Sequence, residues 1–185
     1  MKTMSHVKKS IITAVCIALC VVLPMAFHSI PNAGSIFLPM HIPVLLCGLI
    51  CGWPFGLTCG IAGPILSGLI TGMPPVAYLP AMAVELAVYG AVTGIIMRLM
   101  HTGKLYADLY ISLLLALLAG RIVSGIAKAL IFSAGSYSMT VWVASSFVTA
   151  LPGLVIQLLF LPSIIFALEK ARLIPFRYPH RTAAK

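Results

Sequence analysis

Between Ser10 and Leu168 the chain is a succession of long apolar runs, interrupted only by short turns. A bilayer core is crossed by roughly 20 apolar residues in helical conformation, and the runs here match that length several times over. Composition agrees: 61% of residues are hydrophobic and 8% charged, with a mean hydropathy of +1.12, whereas a water-soluble domain carries about 25% charged residues. A bilayer solvates such a surface and water does not. A cytosolic enzyme, a secreted disulfide module and a disordered tail are thereby excluded. The expected class is an all-α integral membrane protein.

Six transmembrane helices are expected in one membrane domain spanning 1–185, at about 10–27, 42–52, 56–71, 78–100, 109–132 and 144–168, with outer loops at 28–41, 72–77 and 133–143. The 42–71 run is divided at Gly52-Trp53-Pro54-Phe55-Gly56. The first run lacks a small-residue cleavage site and precedes further spans, so it reads as a retained helix rather than a signal peptide. Charge tests the count. There are 12 Lys and Arg against three acids, a net +9. Lys2, Lys8 and Lys9 precede the first run, Arg98 and Lys104 flank the central break, and Lys170, Arg172, Arg177, Arg181 and Lys185 form the tail. With six helices all of these share one face, and the positive-inside rule makes both the N- and C-termini cytoplasmic. No basic stripe with interleaved aromatics exists, so the partner is the lipid bilayer and not nucleic acid.

Small residues recur at four-residue spacing: Gly48, Gly52, Gly56 and Gly60, then Gly90 and Gly94, then Ser112, Ala116, Gly120 and Ser124. Such ridges let membrane helices approach closely, and internal packing is their expected role. Ala14 and Ala18 show the same spacing near the cytoplasmic end of the first helix, as a docking face or as ordinary packing. Cys16, Cys20, Cys47, Cys51 and Cys59 all lie in or beside apolar runs with no C-x-x-C among them, so they read as small apolar fillers. No metal and no cofactor is expected.

Glu85, Arg121 and Lys128 are charges inside apolar runs. An ionisable group at bilayer depth costs on the order of 3 kcal/mol, so it is functional or paired. At 1.5 Å per residue Glu85 lies roughly 10 Å below the outer surface, Lys128 about 6 Å and Arg121 about 16 Å. Arg121 and Lys128 are seven apart and share a helical face with Ser124 and Gly125. A salt bridge from Glu85 to Arg121 or Lys128 that only fixes packing is one reading, but one acid cannot neutralise two bases. Spare positive charge beneath uncharged loops suits a small anionic ligand. Tyr78, Met82, Tyr89, Trp142 and Gln157 lie near the same level as candidate liners, and Asn32 in the first outer loop and Ser124 complete the expected substrate-binding set.

No catalytic residue is expected. The chain has no G-x-x-x-x-G-K-[ST] to hold ATP phosphates, no H-E-x-x-H and no G-x-S-x-G. His28 and His41 fall at the outer boundary, and Glu85 is the only acid expected to be buried. An enzyme using Glu85 as acid or base would lack a second catalytic group.

The stretch Leu38-Pro39-Met40-His41-Ile42-Pro43-Val44-Leu45-Leu46, with Gly60-Ile61-Ala62-Gly63-Pro64, Thr71-Gly72-Met73-Pro74-Pro75, Glu85-Leu86-Ala87-Val88-Tyr89-Gly90, Ala119-Gly120-Arg121 and the Ala14/Ala18 pair, resembles the S components of energy-coupling factor (ECF) transporters. That resemblance implies a subunit that binds a vitamin or related micronutrient from outside, under a first outer loop near Ser29 to Met40. It implies partners, a transmembrane coupling subunit and two cytoplasmic ATPases, with Ala14 and Ala18 as the docking contact and substrate release by toppling in the membrane. Positive charge under an apolar cap favours a carboxylate vitamin, pantothenate first. Cobalamin, a queuosine precursor and a pyridoxine-type compound stay open, and cationic thiamine is disfavoured. The alternative is a structural subunit of a membrane assembly in which the buried charges only hold helices together.

Overall fold

The computed structural model describes residues 4–27, 33–129 and 138–178. Among these the chain is helical, in the order α1 (His6–Ala26), α2 (Ala33–Phe37), α3 (His41–Cys51), α4 (Trp53–Thr71), α5 (Leu79–Leu99), α6 (Leu105–Ala127), α7 (Met139–Val143), a π-helical stretch (Ala144–Thr149) and α8 (Leu151–Lys170). Six helical segments are long and apolar enough to cross a membrane, α2 and α3 counting together as Gly34–Cys51.

Local chemistry sets the breaks. The Ser5 hydroxyl accepts from Lys8 N at 3.3 Å and starts α1. Gly52 takes φ 92°, a conformation costly for other residues, and Pro54 follows at the start of α4. Their combination divides the long apolar run between α3 and α4. Gly72 ends α4 at φ 71°, with its N–H on Gly68 O.

Several boundaries differ from the expected spans, α1 starting at His6 and α4 at Trp53 among them, and three have an evident local reason. The segment expected as the first outer loop contains α2, and Leu38 beyond it holds φ 52° while its carbonyl accepts from His41 N at 3.0 Å. A left-handed leucine costs on the order of 1 kcal/mol or more, so the surrounding packing holds this turn in place. α6 begins four residues before 109, where Asp108 in its first turn accepts from Thr102 N at 3.0 Å. The last span is irregular over Ala144–Thr149, and regular α-helix resumes just before Pro152, whose missing N–H suits a first turn.

α5 packs along α3, α4 and α6 and forms the middle of the bundle. A β-carbon on Gly56 would lie 2.7 Å from Gly90 C and 2.8 Å from Gly48 Cα, so α3, α4 and α5 meet backbone to backbone at the glycines. The five cysteines are buried between α1, α3 and α4, with the Cys47 Sγ and Thr13 Oγ1 3.5 Å apart. α1 is the least buried span. It turns Thr13, Cys16 and Cys20 inward, whereas Val7, Ile11, Ala14, Val15 and Ala18 are exposed.

One end of the bundle brings the start of α1 to the segment after α8. Lys8 Nζ donates to Leu173 O at 2.5 Å. The segment after α8 folds back so that Arg177 Nε donates to Asp108 Oδ2 at 2.7 Å, its Nη2 to the Met97 and Met100 carbonyls, and its backbone N to Glu169 Oε1 at 2.9 Å. Tyr178 adds its hydroxyl to Asp108 at 2.5 Å. A cavity of about 110 Å³ lies at this same end, walled by Met4, Met97, Ile165 and Glu169 with the returning tail. The expectation that Glu85 is the only buried acid is therefore corrected: Asp108 is fully buried and Glu169 is 7% exposed. Both stand at helix ends, where the returning tail covers them.

Candidate functional site

The second polar cluster lies away from that end, on α3, α5 and α6. Glu85, about two turns into α5, is 5% exposed. Arg121 Nη1 stands 3.2 Å from Glu85 Oε1. Tyr89 OH donates to the same oxygen at 3.1 Å and Ser124 Oγ donates to Oε2 at 2.9 Å. Each donor is placed by its helix. Tyr89 follows Glu85 by four residues and so shares its face, and its ring packs directly against Gly120, where any β-carbon would collide with it. Ser124 follows Arg121 by three and faces the same way. Of the two bases left open by the sequence, the structure pairs Glu85 with Arg121.

Lys128 follows α6 half-buried on the Arg121 face and adds to the positive potential at Glu85. Trp142, on α7, lies over Gly125 and donates from Nε1 to the Arg121 carbonyl at 3.2 Å, so it touches the backbone of the cluster rather than its charges. Gln157 is fully buried on α8. One turn earlier on that helix, Gly153 backs directly onto Ile36, Phe37 and Leu38. A turn is about 5.4 Å, which brings Gln157 to the level of His41. Tyr78 is 66% exposed and stands apart, and Met82 packs against the apolar core. Asn32 lies outside the described residues.

His41 is the member that sequence reasoning missed. Placed at the outer boundary by its position ahead of an apolar run, it is instead 2% exposed. Its Nε2 is 3.7 Å from Glu85 Oε1 and its ring centroid 5.2 Å from that of Tyr89. Packing against Glu85 and Tyr89 of α5 turns a boundary residue into an interior one. The available signal was a single polar ring inside the apolar stretch Leu38–Leu46.

The cluster has more hydrogen-bonding capacity than it uses. His41 Nδ1 and Nε2, Arg121 Nε and Nη2, and Gln157 Nε2 and Oε1 are buried without a hydrogen-bond partner among the described residues. Buried polar atoms are ordinarily satisfied, because each unmet one loses its hydration without compensation. Six on three neighbouring elements describe a site that can grip a polar molecule.

The family model described as ECF transporter, substrate-specific component, matches residues 8–174. No curated protein matches the chain, and no solved structure does.

Proposed function

The chain belongs to the substrate-specific components of ECF transporters, and from that premise we propose that it captures a carboxylate vitamin or related micronutrient from outside the cell, pantothenate being the first candidate. Membership makes it a multi-pass plasma-membrane protein and a substrate-binding subunit, with ATP hydrolysis carried out by partner subunits of the transporter.

The observation that carries the finer reading is the buried cluster of His41, Glu85, Tyr89, Arg121, Ser124 and Gln157, with Lys128 beside it. Two bases and one acid leave it a spare positive charge, and its unused donors suit an anion. A bridge that served packing alone has no use for unmet donors, which weighs against the purely structural reading. The start of α1, the segment that returns after α8 and the α5–α6 loop meet at the end away from the cluster, and Lys8, Lys104, Arg172 and Arg177 belong to them. The positive-inside rule makes that end cytoplasmic and the cluster outward-facing. Capture from outside follows from that orientation.

Delivery requires a partner in the membrane. Ala14 and Ala18 are exposed on α1, the least buried of the spans. Small side chains on a free helical face admit close approach of another helix, which supports this face as the contact for a transmembrane coupling subunit, itself joined to two cytoplasmic ATPases.

The test is to purify the chain from cells grown in rich medium and identify any co-purified small molecule by mass spectrometry, with the Arg121→Gln variant in parallel. A stoichiometric vitamin on the wild type and none on a folded variant is the expected result. Glu85 retains its bonds from Tyr89 and Ser124, so the variant should fold. An empty wild type that also ignores a thermal-shift screen of water-soluble vitamins would return the cluster to a structural role.

A further inference from the structure

The way Arg121 divides its donors narrows the ligand further, on the premise of the capture role just proposed. Glu85 is committed to the protein: Oε1 meets Tyr89 OH at 3.1 Å and Arg121 Nη1 at 3.2 Å, and Oε2 meets Ser124 Oγ at 2.9 Å. Arg121 gives Glu85 only Nη1. Its Nε and Nη2, whose N–H bonds run parallel along one edge of the guanidinium plane, have no partner among the described residues, although the side chain is 7% exposed. That edge is the fork a carboxylate meets with two parallel charge-assisted hydrogen bonds. Glu85 and Arg121 cancel, and Lys128 supplies one further positive charge, which balances a monoanion. Gln157, fully buried at the level of His41, has neither amide atom paired among the described residues and can give and accept at once.

We propose that the ligand is a small monocarboxylate that also carries an amide or a comparable donor–acceptor group. Arg121 grips the carboxylate side-on through Nε and Nη2, and Gln157 takes the amide. Glu85 is a positioning residue: it holds Arg121 by Nη1 and leaves the fork free.

The experiment uses the purified full chain in detergent, with two acid and alcohol pairs as probes in isothermal titration: pantothenate with pantothenol, and biotin with biotinol. Each alcohol keeps the amide or ureido group and loses the carboxylate. One acid is expected to bind, with its alcohol roughly 100-fold weaker, since a site built for a charged partner rejects the analogue lacking it. Arg121→Lys keeps the charge and loses the fork, and should weaken the acid by roughly 30-fold. Gln157→Leu should weaken acid and alcohol alike, by about tenfold, with their ratio unchanged. Glu85→Gln should lower affinity yet retain the preference for acid over alcohol, which a direct ligand contact would not. An alcohol that binds as tightly as its acid, tight thiamine binding, or a folded Arg121→Lys with wild-type affinity overturns this assignment while capture stands. If Arg121→Lys does not fold, the acid-to-alcohol ratio on the wild type decides. If neither acid binds, no water-soluble vitamin shifts the melting curve and nothing co-purifies, the capture reading falls and this one with it.

Discussion

Gly56→Ala tests whether the glycine crossing is what sets the distance between α5 and its neighbours. The new methyl would lie 2.7 Å from Gly90 C and 2.8 Å from Gly48 Cα, and closer still to the Gly90 carbonyl oxygen. Carbon atoms in contact sit about 3.5–4.0 Å apart, so the shortfall is roughly 1 Å on two sides. Both obstacles are backbone, and no rotamer change relieves them. α4 must therefore part from α3, from α5 or from both. A gap of about 0.5–1 Å forfeits a quarter to a half of each atomic contact it opens, and overpacking of a filled core typically costs about 1–3 kcal/mol. With two interfaces involved, about 3 kcal/mol is expected. The assay is reversible unfolding of the purified chain in mixed micelles with increasing SDS. Gly34→Ala is the control, since nothing lies within 4 Å of its added methyl. The same displacement moves the helix that carries Glu85 and Tyr89, so ligand affinity should fall with stability. If Gly56→Ala unfolds with the control, the close approach of these helices is not what holds the bundle, and the packing argument fails.

Two further outcomes follow from the opposite end and the outer face. Arg177→Leu should release the returning tail and leave Asp108 with only Thr102 and Tyr178; a stability loss of about 3 kcal/mol and faster proteolytic cleavage after α8 are expected, with ligand affinity unchanged. Unaltered cleavage would show that the Arg177–Asp108 contact does not hold the tail. Ala14→Leu with Ala18→Leu should leave the melting curve and ligand titration as in the wild type, because both positions are exposed, yet prevent co-purification of the coupling subunit. Retention of that subunit would remove α1 as the docking face.

What the sequence determined by itself is what adds up locally. Transfer free energy accumulates along a run, so the apolar lengths required six or seven crossings, loop charge favoured six, and Gly52 with Pro54 was enough to divide α3 from α4. The placement of lysines and arginines outside the runs carried the expected sidedness in the same additive way, and Glu85, Arg121 and Lys128 stood out because a charge in a bilayer is costly wherever its partner is. Tertiary structure decided whatever depends on how helices rotate and cross. Sequence spacing put Arg121 and Lys128 on one face but could not say which of them meets Glu85. It placed His41 at a boundary, because the packing of its ring against Glu85 and Tyr89 is a contact between elements and not a property of the residue. Asp108 and Arg177, 69 residues apart, carry no mutual signal in either local run. Nor does any pattern reveal that the Nε edge of Arg121 and the amide of Gln157 lack partners among the described residues. A hydrogen bond is decided within a fraction of an ångström, and only the packed bundle sets distances that fine.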